Sequence, residues 1–473
     1  MGSSRDNHRQ RETAMIRDKC CSALFRTTAL LVLLLTAASF GQAGSETTAG
    51  VEFSADTFSP GQTPATLENW DSWSQREQTS PDFFTAELPN LGGSGSLGIG
   101  GASNTSAHGC WVSTVDGIEP GKYYRFEAWF TARAVPYPRQ QVLSRLDWRR
   151  ADGGRAGQPE YVLESGSEGE WTRNSGVFRA PDRATSVELE LYLSYCPQGT
   201  VWWDRISLVE APAPGERKVR VATVNFQPHR VGDSKASVAA YIPWLEEAGR
   251  NGCDIVCIGE GINLAGVTEG RTYAETAEPI PGAATRLLGE VAKKYGMYIV
   301  GAMGEREGHA IYNTAVLIDR EGRVAGKYRK VYLPREEIEA GCTPGDAFPV
   351  FDTDFGRIGM MICWDVQYSD PARALAVQGA EIIFCPIWGG NATLAKARAI
   401  ENQTFLVTSA YSDLPTAIYG HWGELLAEVT EKPGVVWTDL DLNETFPDPW
   451  LGDMRHRFIR ERRADIELPA LEY

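Results

Sequence analysis

The stretch "GRIGMMICWDVQYSDPAR", Gly356 to Arg373, decides how the larger part of this chain folds. Its centre, Ile358 to Ile362, is an unbroken apolar run of the length of one buried strand. Cys363 follows at once, then Trp364 and Asp365, and a helix is expected beyond. A cysteine within such a strand is most often packing. One at the strand's carboxyl end, where an α/β fold places its sites, is a candidate nucleophile.

Outward from that stretch, the bounds are simple. A chain of 473 residues exceeds one core, so two or three domains are expected. With 42% hydrophobic and 23% charged residues the composition is that of a globular protein. The formal net charge is -16, which argues against nucleic acid or anionic lipid as a partner. Residues 1–44 read as a secretory signal. A basic flank (Arg5, Arg9, Arg11, Arg17, Lys19, Arg26) precedes the apolar "ALLVLLLTAASF", and small residues Gly41, Ala43 and Gly44 close it. Met15 as the start would give a leader of more usual length. No cysteine follows the apolar run, which argues against lipoprotein attachment. The run is short for a membrane span, so an exported protein, secreted or periplasmic, is expected, with an uncleaved anchor as the alternative.

Composition then changes twice. Residues 50–211 are rich in Trp, Tyr, Gly and Ser, and "YYRFEAWFTA" and "SVELELYLSY" alternate as half-buried strands do. Turn residues between them (Pro120-Gly121, Gly153-Gly154, Pro181-Asp182) predict an antiparallel β-sandwich. "EAPAPGER" supplies a Pro-rich linker over 212–218. From 219 to 473 the order is strand, helix, strand ("VRVATVNF", a helix from Asp233 or Ser234, "DIVCIG"), the pattern of an α/β layer fold. Cys110 and Cys196 are the sandwich's two cysteines, and an exported domain favours a disulfide between them. Cys253, Cys257 and Cys385 sit in or beside apolar strands and read as small core residues. No Cys-x-x-Cys occurs and the histidines are scattered, so zinc-ligand spacing is lacking.

Cys363 needs a partner, because a thiol is a weak nucleophile until a base or a cation favours the thiolate. Glu260 stands just after the apolar run of "CDIVCIGEGIN". "GKYRKVYLPREE" alternates Lys327, Arg329 and Lys330 along one strand, with Lys330 placed to turn inward. A carboxylate to take the proton and an ammonium to hold developing negative charge would complete a thiol site.

These residues resemble the nitrilase superfamily of carbon–nitrogen hydrolases, whose site is a Glu-Lys-Cys triad. "DIVCIGE" with Glu260, "YRKVYLP" with Lys330 and "GRIGMMICWD" with Cys363 occur in the family's order. "TPGDAFPVFDT", "ARALAVQGAEIIFCP" and "RAIENQTFLVTSA" match as well, so the likeness spans about 219–465. The chain departs from the family pattern at Tyr332 (usually His), at Trp364 (usually Tyr) and at Tyr368-Ser369-Asp370 (usually Phe-Pro-Glu). Those positions bear on the substrate rather than on the chemistry. The family's second glutamate falls at Ile338, and a one-residue insertion would make it Glu337 among Glu336, Glu337 and Glu339. The resemblance implies a four-layer α-β-β-α sandwich and a homodimer or larger homo-oligomer. It also implies a thioester mechanism in which the Trp364 N–H helps Lys330 hold the oxyanion, with no metal or organic cofactor. The implied substrate is a linear amide or N-carbamoyl (ureido) amine, with a nitrile second.

The amino-terminal part looks like the jelly-roll, galactose-binding-like modules of secreted hydrolases. "GIEPGKYYRFEAWF", "RLDWRRADG", the spacing of Trp171, Phe178, Ala180 and Pro181, and "GTVWWDRISL" carry that likeness. It implies a spacer whose aromatics are core, or a carbohydrate-binding module, with Asp204 a candidate for structural calcium. Two rivals remain from other classes. One is a thiol hydrolase pairing Cys363 with His421, or with His229, His309 or His456. The other is a non-catalytic carbohydrate-binding protein with a degenerate enzyme domain.

Overall fold

Apolar runs of strand length, set between amphipathic stretches, build the larger part of the molecule from Lys218 onward. In the computed structural model the described residues are 51–52, 69–91, 95–267, 272–412, 414–445, 447–463 and 466; the leader expected over 1–44 lies outside them. Twelve strands matter here: β1 Lys218–Asn225, β2 Ile255–Cys257, β3 Tyr298–Glu307, β4 Ala310–Ile318, β5 Val324–Arg329, β6 Val350–Asp352, β7 Arg357–Met360, β8 Ile382–Ile387, β9 Phe405–Ala410, β10 Ala417–Tyr419, β11 Leu425–Glu428 and β12 Gly434–Asp441. They form two six-stranded sheets, of order β5-β4-β3-β2-β1-β12 and β6-β7-β8-β9-β10-β11. Each sheet has three parallel strands at its centre, β1 to β3 and β7 to β9, with antiparallel strands outside them.

Period-two alternation assigns the two faces of the first sheet. Val219, Val221, Ile255, Cys257 and Val300 pack toward the second sheet. Ala222, Val224, Val256, Ile258 and Ile299 pack against helices α1 (Ser234–Ala239), α2 (Ile242–Arg250) and α3 (Ala283–Tyr295). The second sheet is covered by α5 (Asp370–Val377) and α6 (Ala392–Asn402), whose Leu375, Ala395 and Ala399 join the core; the short α4 (Arg335–Glu339) follows β5 in the chain. The layers are therefore helix, sheet, sheet, helix, as the resemblance implied. Helix α1 begins where the sequence placed it, with Asp233 accepting the Ala236 N–H at 2.8 Å. Polar bonds as well as apolar contact register the sheets. Thr223 donates to the Thr408 carbonyl at 2.8 Å, Ser409 to that of Val224 at 2.6 Å, and Asn225 to that of Ala410 at 2.6 Å.

Before Lys218 the chain forms two antiparallel sheets. One runs Asp82–Ala86, Ser96–Gly100, Thr200–Ala211, Tyr123–Arg133, Trp171–Arg179, Glu164–Glu168; the other Asp71–Ser74, His108–Asp116, Ser186–Ser194, Val142–Arg149, Glu160–Val162. Trp70, Trp111, Trp148 and Trp203 lie fully buried in the core between them. Asp204 accepts the N–H groups of Leu91 and Arg205 at 2.6 and 2.7 Å, which ties its carboxylate to backbone. Asp147, Glu188 and Glu190 bring carboxylate oxygens within 4.8 Å of one another on the other face of the five-stranded sheet. Arg149 joins Asp147 to Glu188, Arg155 takes Asp147, and Arg145 takes Glu190, so arginines neutralise the cluster.

The expected Cys110–Cys196 disulfide is absent: both thiols are free and buried. Alternation explains this. Trp111 points into the sandwich core, so its neighbour Cys110 turns to the opposite face, against Tyr192. Cys196 packs inside the core, with its thiol toward the Ala134 carbonyl. A bridge requires the two Cβ atoms about 4 Å apart, and the sheet stands between these side chains. Dithiothreitol should therefore leave the melting temperature of the folded chain unchanged; a fall of several degrees on reduction would contradict the arrangement.

Candidate active site

Three strand ends converge at the seam between the two large sheets. Glu260 follows β2, three residues past Cys257. The approach is tight: a Cβ on Gly259 would lie 2.3 Å from the Tyr411 ring, so glycine is the residue that fits. Tyr411 donates to the Glu260 carbonyl at 2.8 Å and holds the turn. Glu260 is 2% exposed. Its Oε1 accepts from Asn313 at 2.8 Å and from the Lys330 ammonium at 3.0 Å; its Oε2 accepts the Trp388 N–H at 2.9 Å.

Lys330 stands one residue past β5. Lys327 and Arg329, on one face of that strand, reach Glu305 and Glu307 on β3. Tyr328 and Lys330, on the other, turn inward and are fully buried. Pro334 then opens α4, and the phase of this one-turn helix settles which glutamate joins the site. Glu336 and Glu339 point to solvent and form pairs with Arg335, whereas Glu337 bonds the Lys330 ammonium and accepts from Asn313 at 3.3 Å. Burial alone would lower the Lys330 ammonium, but Glu260, Cys363 and Glu337 outweigh it and hold the lysine above its ordinary value. Burial pushes Glu337 up, with Lys330 opposing.

Cys363 ends the run that includes β7 and opens a 3-10 turn over Cys363–Gln367. Its φ of 42° is left-handed, a conformation costing about 1–3 kcal/mol in a residue with a side chain and recurrent at functional turns. The sulfur lies 3.8 Å from the Gly389 carbonyl and within hydrogen-bonding reach of Glu260 and the Trp388 N–H. Burial and then Glu260 push the thiol well above its ordinary value, against Lys330 and the Trp388 N–H. Burial here thus favours the neutral thiol over the thiolate.

Asp365 explains why an aspartate stands two residues after the cysteine. It is fully buried and accepts from the Ile362 N–H at 2.8 Å, closing the turn beneath Cys363. It also accepts from the Tyr328 hydroxyl at 2.7 Å and the Tyr332 N–H at 3.1 Å, on either side of Lys330. One carboxylate thus fixes the cysteine segment to the lysine segment. Trp364 lies on the same turn, 39% exposed. The departures from the family pattern meet in space: the Tyr332 and Tyr368 rings stack at 4.1 Å, and the Tyr332 hydroxyl lies 3.4 Å from Asp370.

The structure thus brings Glu260, Lys330, Glu337 and Cys363 together. The histidines of the thiol–histidine alternative sit differently. His421 packs on Phe405, at the amino-terminal end of β9, where burial holds its imidazole down to about 3. The sulfur lies beyond the opposite, carboxyl end of β8, about 16 Å along the strands. His229 and His309 are exposed, and His456 pairs with Asp453. The sequence reading missed Asn313, Asp365 and Trp388. Asn313 carried a signal, as a polar residue within the apolar strand β4. Asp365 acts through a carboxylate that meets donors of two segments, and Trp388 through its backbone N–H.

A family model described as carbon–nitrogen hydrolase matches residues 220–447. The chain is 30% identical over 274 residues to omega-amidase NIT2-B of Xenopus laevis, covering 52% of this chain and 96% of that protein. It is 28% identical over 274 residues to the human omega-amidase NIT2, with the same shares covered. Among solved structures, an amidase from Nesterenkonia sp. is 23% identical, with a TM-score of 0.45, covering 54% of this chain and 96% of that one.

Asp365 offers a test of the scaffold beneath the site. In Asp365→Asn one oxygen becomes an N–H donor facing donors, and a buried clash of that kind costs about 1–3 kcal/mol. Burial pushes the Asp365 carboxyl up to about 6, from an ordinary value near ~3.9. The folded state therefore holds this proton more tightly than the unfolded chain does. The group's contribution to stability falls as pH rises from about 4 to about 6 and is flat above that. Urea melts across that window should show the fall in the native protein and its loss in Asp365→Asn.

Proposed function

The chain belongs to the carbon–nitrogen hydrolase family and is a hydrolase of non-peptide carbon–nitrogen bonds, and on that premise we propose that it releases ammonia from a linear amide through a Glu260–Lys330–Cys363 triad. An N-carbamoyl amine is the second substrate class of this reading. The observation that carries it is the fully buried Lys330 ammonium, bonded to Glu260 and Glu337 and set beside the Cys363 thiol. The omega-amidase relatives support an amide over a nitrile.

In this mechanism Glu260 takes the thiol proton as the Cys363 sulfur attacks the amide carbon. The carbonyl oxygen becomes an oxyanion held by Lys330 and the N–H of Trp364. Glu260 returns the proton to the leaving nitrogen, ammonia departs, and an acyl thioester remains on Cys363. Water then enters. Glu260 takes one of its protons, the resulting hydroxide adds to the thioester, and the carboxylic acid leaves as the sulfur recovers its proton. Glu337 keeps Lys330 aimed and charged throughout. The stacked Tyr332 and Tyr368, with Trp364 and Asp370, form the rim that selects the acyl group. The leader supports export, which amino-terminal sequencing of the mature protein would check.

Cys363→Ala should fold and lose all turnover, since a methyl replaces the thiol with little change of volume. Lys330→Ala should lower kcat on the order of 10²–10³-fold, as removal of one oxyanion donor does. Glu260→Gln should lower it at least ~10²-fold, the scale of general acid–base catalysis. Gln substitution of His229, His309, His421 or His456 should leave kcat within a few fold. The assay is ammonia release across amides, ureido compounds and nitriles. A silent Glu260→Gln together with one dead histidine variant would sink the triad.

A further inference from the structure

One side chain reaches the edge of the Glu260–Cys363 cluster with its polar end unused. Tyr273 opens a one-turn helix, Tyr273–Thr276, and packs its ring with Leu264, Ile311, Leu333 and Cys342. Gly304 on β3 lets the ring come close, since a Cβ there would lie 3.2 Å from its Cδ1. These contacts carry the hydroxyl to the turn that follows Glu260. A Cβ on Gly261 would lie 3.4 Å from the Tyr273 hydroxyl oxygen and 3.7 Å from the Trp388 ring, so phenol and indole flank the same turn.

Buried phenols ordinarily find a partner. Tyr328 has Asp365, and Tyr411 has the Glu260 carbonyl. Tyr273 is only 8% exposed, yet its hydroxyl makes no hydrogen bond among the described residues, and its oxygen is not closed off from open space. Burial, then Glu260, Glu337, Cys342 and Cys363, push the phenol well above its ordinary value, so it stays protonated and neutral. It is no base, but it offers one O–H donor and two lone pairs. The field of the two carboxylates turns the O–H toward them and leaves a lone pair for an incoming N–H.

The substrate of the proposed reaction brings such a group. A primary amide, or the end of a ureido group, carries two N–H bonds on the nitrogen that leaves. Glu260, the proton carrier, takes one. The Trp388 N–H and the Lys330 ammonium only donate, and the oxygens of Glu337 are engaged by Lys330 and Asn313. Resting on the amidase reading, we propose that the Tyr273 hydroxyl accepts the second N–H of the leaving nitrogen, as a further catalytic residue of this site. The bond strengthens as the carbon–nitrogen bond breaks, because the nitrogen gains a proton and with it positive character. Tyr273 keeps its own proton throughout. It therefore acts in acylation by substrates that lose nitrogen, and it matches the site to an unsubstituted –NH2.

The test compares Tyr273→Phe with the native full chain on one acid presented in two forms. One is the primary amide that the native chain hydrolyses fastest, followed by ammonia release. The other is the ethyl ester of the same acid, whose leaving oxygen brings no N–H. Phenylalanine keeps the ring and its packing, and equal melting temperatures check that it does. In Tyr273→Phe, kcat/KM for the amide should fall about tenfold, the scale of one hydrogen bond to a group that is becoming charged. For the ester it should stay within about twofold. An equal fall on amide and ester would mark a structural role and overturn the proposal. Unchanged hydrolysis of an amide that the native chain does hydrolyse would overturn it alone. A native chain that cleaves the ester but no amide would sink the amidase reading, and this inference with it.

Discussion

Lys330 carries its charge to a place where it is 1% exposed, and an ion taken that far from water loses several kcal/mol of hydration unless close partners offset the loss. Glu260 and Glu337 are those partners, and Asn313 donates to both carboxylates, so the three charges are cross-braced. Removing Lys330 would leave two buried carboxylates facing each other without a counter-charge. The arrangement also explains why the resting sulfur can stay protonated. Moving a proton from Cys363 to Glu260 exchanges one anion for another at the same ammonium, so the net charge of the buried cluster does not change. In the proposed mechanism the lysine serves a thiolate in one state and a carboxylate in the next, which lets a weakly acidic thiol act as a nucleophile without a histidine.

Everything around that cluster serves to bring its members from distant parts of the chain to one point. Glu260 and Lys330 come from one sheet and Cys363 from the other, so the distances among them depend on how the sheets are registered. Apolar contact alone allows sheets to slide; the Thr223, Ser409 and Asn225 bonds between β1 and β9 do not, because each ties a particular side chain to a particular carbonyl. Asp365 adds the local constraint. Its burial is unfavourable to its charge, and it stays because three donors from two segments need its oxygens.

The parts legible in the sequence were those set by periodicity or by strand ends. The run from Ile358 to Ile362 with a cysteine behind it, the acid after "DIVCIG" and the inward parity of Lys330 each express one strand and its alternation. Choosing Glu337 over its neighbours needed the phase of a helix only five residues long, too short to show a period. The expected disulfide failed for a related reason: two cysteines far apart in the chain say nothing about which face of a sheet each takes. The roles of Asp365 and Trp388 lie in backbone donors and turn geometry, and composition carries no trace of either.

The sandwich and the catalytic layers meet at a point that bears on how the two could communicate. Arg139 of the sandwich donates to the Val377 carbonyl at 2.6 Å, the last residue of α5, and Arg460 of helix α7 (Met454–Arg460) reaches back to Arg139 and Val162. Helix α5 begins at Asp370, against Tyr332 and just past the cysteine turn. A cation at a helix carboxyl terminus satisfies a carbonyl that has no partner within the helix and favours the helix dipole. That contact stabilises α5 in its present position rather than offering it a second one. Coupling between sites needs an element with two arrangements of similar energy. Helix α5 has one, packed through Leu375 into the core and capped at its end by Arg139. The joint therefore braces α5, and with it the start of the helix just past the cysteine turn, in the position the core packing gives it.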